Sequence, residues 1–169
     1  RAYFPEGWPL LVVAPASCRL LWAEELERWL PGDLTPQDIT VIFSKEDRVH
    51  APAELTKATI VSFHMVRNLA DSMFDARPGS PWAHAFRTVI VDECHALRPA
   101  KAFKKSGPQT CVAVALVARA ERALLLSGTP SFGTPAHLFP LLDALFPGAF
   151  SETVLAPAAR GGAATEQTK

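Results

Sequence analysis

Short runs of β-branched and aliphatic residues alternate along this chain with longer stretches whose apolar positions recur every three or four residues. The short apolar runs at 10–14, 39–43, 58–62, 88–91 and 123–126 are predicted to be strands, 88–91 being too short and too branched for a helix. A helix is predicted from Ser17, whose hydroxyl can cap it, to about Leu30. Leu20, Leu21, Ala23, Leu26 and Leu30 supply its apolar stripe, while Glu24, Glu25, Glu27 and Arg28 face water. Pro31-Gly32 stops it. Further helices are predicted over 64–74, 109–122 and 135–146; the second is rich in valine but too long for one strand. Pro135 suits a first turn, and Pro140 either shares that turn or kinks the helix. The stretches 77–81 and 98–108 read as loops. Strands alternating with helices predict an α/β fold built on a parallel sheet.

Three of the strands end alike. The run 88–91 stops at Asp92-Glu93-Cys94-His95, the run 123–126 at Ser127-Gly128-Thr129-Pro130, and the run 10–14 at Pro15-Ala16-Ser17. In an open α/β sheet ligands bind beyond the carboxyl ends of the strands, so the three ends suggest a nucleotide-handling edge. Adjacent residues leaving a strand point different ways. One carboxylate of Asp92-Glu93 can hold Mg²⁺, directly or through its waters, and the other can orient a water beside a terminal phosphate. A solvated acidic pair at a strand end would look the same, and Ser127-Gly128-Thr129 alone would pass for a hydroxyl-capped turn. The two constellations in one chain favour the chemical reading over both. A zinc site through Cys94 and His95 would need partners such as His64 or Cys111, and no recognised spacing joins them.

Composition narrows the class. The 169 residues are 49% hydrophobic and 20% charged, enough for one globular domain with a core. The formal net charge is zero, so any contact with nucleic acid must be local or shared with other parts. Cys18, Cys94 and Cys111 are odd in number and widely spaced, which supports a reducing compartment rather than a disulfide framework. No apolar run approaches the roughly 18 residues of a membrane span, so no membrane partner is expected. The N-terminal residues do not read as a signal peptide.

These motifs carry a resemblance. Asp92-Glu93-Cys94-His95 matches the Walker-B box of superfamily-two, DEAH-box-like ATPases. Residues 10–17, with Trp22, Glu24-Glu25 and Trp29 behind them, resemble motif Ia of the Swi/Snf-type DNA translocases. Ile60-Val61-Ser62-Phe63 resembles motif Ib, and Leu125-Leu126-Ser127-Gly128-Thr129-Pro130 resembles motif III, where RNA helicases usually carry Ser-Ala-Thr. Residues 136–150, with their Leu-Phe-Pro repeats, are most similar to the annealing-helicase, fork-remodelling branch.

The resemblance implies a first ATPase lobe: a RecA-like, three-layer α/β/α domain over residues 1–150, truncated at its N-terminus, with 151–169 as a disordered tail or linker. It implies ATP and Mg²⁺ as cofactors, duplex or branched DNA as partner, a nuclear location, and work in DNA repair or chromatin remodelling. Asp92 would bind the metal and Glu93 would be the catalytic base. His95, Ser127 and Thr129 would couple the nucleotide to the rest of the motor. Pro15, Ser17, Ser62 and Gly128 would lie near a DNA track. Lys101, Lys104 and Lys105, with Arg98, form a basic cluster that could join it, or a solvated loop.

The chain departs from the family in one respect. It contains no G-x-x-x-x-G-K-[ST] phosphate loop. That region and the second lobe would be partners supplied by the rest of the protein, and the missing first strand is expected to leave a gap at the sheet centre. A non-catalytic remnant that binds DNA or a protein, and an RNA-directed motor, remain alternatives. Trp8, Trp22, Trp29 and Trp82 are read as packing residues rather than base-stacking platforms, and His50, His84 and His137 as incidental.

Overall fold

The structure, a computed structural model, describes residues 6–47, 49, 51–69, 81, 82, 84–97, 108–129 and 138–146. Arg98, Lys101, Lys104, Lys105, Pro135, His50, His137 and the tail 151–169 lie outside the described residues.

The strands are β1 (Leu10–Ala14), β2 (Ile39–Val41), β3 (Ala58–Ser62), β4 (Thr88–Val91) and β5 (Arg122–Leu125). The helices are α1 (Arg19–Trp29), α2 (Phe63–Leu69), α3 (Pro108–Arg119) and α4 (Phe139–Leu145). The strands form one sheet in the order β2-β3-β1-β4-β5, and every neighbouring pair is parallel. β1 lies at its centre, with Val13 between Val61 and Val91. Because the ladder is continuous from β2 to β5, the expected gap at the sheet centre is corrected: any further strand can join only at an outer edge.

Alternation along the strands sorts the core into two layers. Leu11, Val13, Val61, Val89 and Val91 pack against Met65 and Val66 of α2, Leu116 of α3 and Leu141 of α4. Leu10, Val12, Ala14 and Ile60 pack on the other side, against Leu26 of α1 and Leu34. β1 and β3 are buried on both faces, which is why their sequences run apolar without a break. The second layer is thinner, because α1 covers only part of it. Beside α1 runs an apolar groove of about 660 Å³, walled by Trp8, Leu10, Leu30, Ile90 and Leu124. Among the described residues nothing pairs with the outer edge of β5, and Leu124 and Leu126 are exposed.

Several local expectations are corrected. Ser17 does not cap α1; it sits in a 3-10 turn (Ala16–Cys18), and the N-cap is Cys18. That extra turn rotates the helix, so Leu20 and Leu21 are 56% and 55% exposed, while Trp22, Ala23, Leu26 and Leu30 face the core. Trp29 is 73% exposed and donates to Glu25 Oε2 at 2.7 Å, so it is not a packing residue. β2 stops at Val41, two residues early. Ile42 remains buried beside it, and Arg19 ties the turn down by donating to the Ile42 carbonyl at 2.6 Å and lying over the Phe43 ring. α3 stops at Arg119, so Arg122 begins β5. Pro140 sits in the first turn of α4, where its missing N–H costs nothing. Among the described residues no helix is long and apolar enough to cross a membrane.

Candidate active site

The carboxyl ends of β1, β4 and β5 lie side by side because these strands are neighbours and parallel. Backbone bonds carry the pairing one residue past each strand: Asp92 N–H donates to the Val13 carbonyl at 2.9 Å and Leu126 N–H to the Val91 carbonyl at 2.9 Å. Cys94 N–H donates to the Leu126 carbonyl at 2.8 Å. The acidic box and the hydroxyl turn are thus joined through the main chain before any side chain is considered.

The turn after β4 sets the direction of each side chain. Glu93 has φ 49°, in the left-handed region that L-residues visit at a cost. A 3-10 turn (Cys94–Leu97) follows at once and sends Cys94 and Leu97 into the core. Burial pushes the Cys94 thiol above its ordinary value, as befits a small packing residue. Asp92, Glu93 and His95 stay half-exposed at the edge.

The polar groups then interlock. Asp92 Oδ1 accepts the Glu93 N–H at 2.9 Å, and Asp92 Oδ2 accepts the indole Nε1–H of Trp22, also at 2.9 Å. His95 Nδ1 is 3.0 Å from Glu93 Oε2 and 2.9 Å from Ser127 Oγ. Either partner of the His95–Ser127 bond can donate, according to the imidazole tautomer, and Ser127 Oγ can do both. Ser127 Oγ also accepts the Thr129 N–H at 3.1 Å. The structure therefore brings Asp92, Glu93, His95, Ser127 and Thr129 together.

The residues expected along a DNA track are placed unequally. Ser17 and Gly128 are exposed and Pro15 is half-buried. A Cβ at Gly128 would meet nothing within 4 Å, so neither crowding within the fold nor a left-handed backbone requires glycine there. Ser62 is 4% exposed, and its hydroxyl accepts the Met65 N–H at 3.3 Å at the start of α2. Any influence of Ser62 on that surface passes through the placement of α2.

The donor chemistry suits Mg²⁺. Asp92 and Glu93 offer hard carboxylate oxygens at an open edge, and among the described residues no three His, Cys, Asp or Glu gather into a cage. A magnesium ion held by one or two carboxylates and otherwise by water and phosphate needs no such cage.

The bond between Trp22 and Asp92 was not foreseen from the sequence. The two residues are 70 positions apart, so no local spacing could show it. The signal that existed was the apolar stripe of α1, which includes Trp22 once Leu20 and Leu21 are removed from it.

Comparisons with known proteins bear on the family and the fold. Residues 5–156 match the SNF2-related domain. The chain is 36% identical over 148 residues to mouse "DNA annealing helicase and endonuclease ZRANB3", covering 88% of this chain and 13% of that protein. It is 35% identical over 149 residues to the Xenopus tropicalis "SWI/SNF-related matrix-associated actin-dependent regulator of chromatin subfamily A-like protein 1", covering 88% of this chain and 14% of that protein. Among solved structures it is similar to the Sulfolobus solfataricus SWI2/SNF2 ATPase core in complex with dsDNA, with TM-score 0.59, 18% identity, and coverage of 87% of this chain and 27% of that one. It is also similar to the Pyrococcus furiosus Hef helicase domain, with TM-score 0.57, 17% identity, and coverage of 84% and 28%.

Proposed function

The chain belongs to the SNF2-related domain family, and from that membership we propose that it is part of an ATP-driven motor acting on duplex or branched DNA in repair or chromatin remodelling. Its RecA-like fold contributes the metal-binding and general-base side of an ATP site. The observation that carries the reading is the junction of Asp92-Glu93-Cys94-His95 with Ser127-Gly128-Thr129 at one sheet edge. The chain spans 13–14% of the length of these two relatives, so a phosphate loop, a second lobe and a nuclear location belong to the proposal.

In this reading Asp92 holds Mg²⁺, directly or through water, and Glu93 accepts a proton from the attacking water at a carboxylate oxygen. Mg²⁺ bound with ATP would supply charge neutralisation on the phosphates and an activated terminal phosphoryl group. His95 Nδ1 stands between the Glu93 carboxylate and Ser127 Oγ, so a shift of the 127–129 turn is felt at the base. Ser17 and Gly128 are exposed at the carboxyl ends of β1 and β5, on the same edge as the acids, and suit contacts with a DNA backbone.

The test uses the full-length protein. Glu93→Gln keeps the shape of the site and most nucleotide affinity but removes the proton acceptor, so single-turnover hydrolysis should fall by about 10²-fold or more. Asp92→Asn should in addition weaken Mg²⁺-dependent nucleotide binding. DNA affinity should survive both. Near-normal hydrolysis in Glu93→Gln would remove the assigned base and the reading with it. Stimulation of the wild type by RNA but not by duplex DNA would reassign the substrate.

A further inference from the structure

We propose that Trp22 is a positioning residue for Asp92, a donor on α1 that fixes the orientation in which the carboxylate meets its metal. The inference rests on the reading of Asp92 as the metal ligand. Its observations are geometric. The indole Nε1–H reaches Asp92 Oδ2 at 2.9 Å, and the Glu93 N–H reaches Oδ1 at 2.9 Å. Both oxygens are thereby held, and the plane of the carboxylate is set. Each oxygen accepts through one lone pair and keeps another for a cation or its water. The indole can do this because its ring is held in turn: it packs, partly buried, on the layer formed by Leu10, Val12, Leu26 and Ile60.

An indole N–H is well suited to the task. It is donor-only and carries no charge, so it orients a carboxylate without competing for the metal's place. A lysine or arginine at this position would neutralise the ligand instead. Partners that hold a metal ligand from behind in this way typically contribute 10–100-fold in metal affinity.

The bond also has a direction along the chain. α1 begins two residues after the exposed Ser17, which lies in the turn that leaves β1. A displacement of the 15–18 turn moves α1, and α1 carries the donor. Trp22 therefore gives the proposed DNA-facing turn a path to the metal ligand that bypasses His95 and Ser127.

The experiment separates positioning from packing in the full-length protein. Trp22→Phe keeps an aromatic ring on the same core layer and removes only the donor. Equilibrium binding of a fluorescent ATP analogue is measured across a Mg²⁺ titration, together with binding in EDTA and the thermal midpoint. The proposal expects the Mg²⁺ concentration at half-saturation to rise roughly 10-fold or more, with EDTA binding unchanged, and no further rise when Trp22→Phe is added to Asp92→Asn. A Mg²⁺ dependence unchanged by Trp22→Phe but altered by Asp92→Asn would overturn the proposal and leave the metal ligand standing. No effect of Asp92→Asn itself would overturn both. Should Trp22→Phe fold poorly, the wild type and Asp92→Ala, which removes the acceptor, are compared by exchange of ¹⁵N-labelled indole protons. Selective loss of protection at the Trp22 indole in Asp92→Ala supports the bond, and an unchanged Trp22 indole overturns it.

Discussion

Glu93 stands in a backbone conformation that a side chain opposes and the site requires. Its φ of 49° turns the chain so that one residue serves as the proposed base while the next, Cys94, enters the core. An L-residue held there costs about 1–2 kcal/mol relative to one in an ordinary region, and glycine is spared most of it. Both Glu93→Ala and Glu93→Gly remove the carboxylate and its contact with His95, so the comparison between them reports the backbone alone. The glycine variant should be the more stable by about 1 kcal/mol, the reverse of the usual order, as read from urea unfolding midpoints. Equal midpoints, or a more stable alanine variant, would show that the left-handed turn is not retained in solution. The sequence could place Asp92 and Glu93 at a strand end, because β-branched residues stop abruptly there. It could not show the sign of φ, which depends on where Cys94 and Leu97 must go.

Elements were legible where burial on both faces leaves a plain signature. β1 and β3 fall on the predicted residues, since a strand covered on both sides must be apolar throughout, and β4, fully buried on one face only, falls on its predicted residues too. α1 was harder. Its apolar content is spread around the helix, and a 3-10 turn ahead of it decided which leucines faced inward, so the predicted stripe was rotated. The same competition governs the capping serines. Ser17 reads as a cap and is not one; Ser62, expected near a DNA track, accepts the Met65 N–H at the start of α2. Ser62→Ala should therefore destabilise the domain by about 1 kcal/mol, with an unchanged urea m-value. Loss of DNA affinity in that variant without loss of stability would return the hydroxyl to the proposed track.

At the scale of the whole molecule, the sheet brings the working residues together by topology alone. Asp92 and Ser127 are far apart in sequence, yet β4 and β5 are neighbours and parallel, so their carboxyl ends meet. Family motifs made this constellation readable, whereas the contact of Trp22 with Asp92 required the packing of α1. The 169 residues contain the proposed metal and base residues but no G-x-x-x-x-G-K-[ST] loop, so the purified chain should release no phosphate from ATP in the presence of Mg²⁺ and duplex DNA. Turnover that survives contaminant controls and disappears in Glu93→Gln would refute this. The free edge of β5 has a practical consequence for the same preparation. An edge that no described residue pairs with, carrying exposed Leu124 and Leu126, is a template for another strand, and the one charged residue of β5 is Arg122 at its start. Purified alone, the chain should self-associate edge to edge as its concentration rises, visible as growing light scattering. Leu124→Lys, which sets a charge in the middle of the edge, should keep it monomeric at concentrations where the wild type clouds.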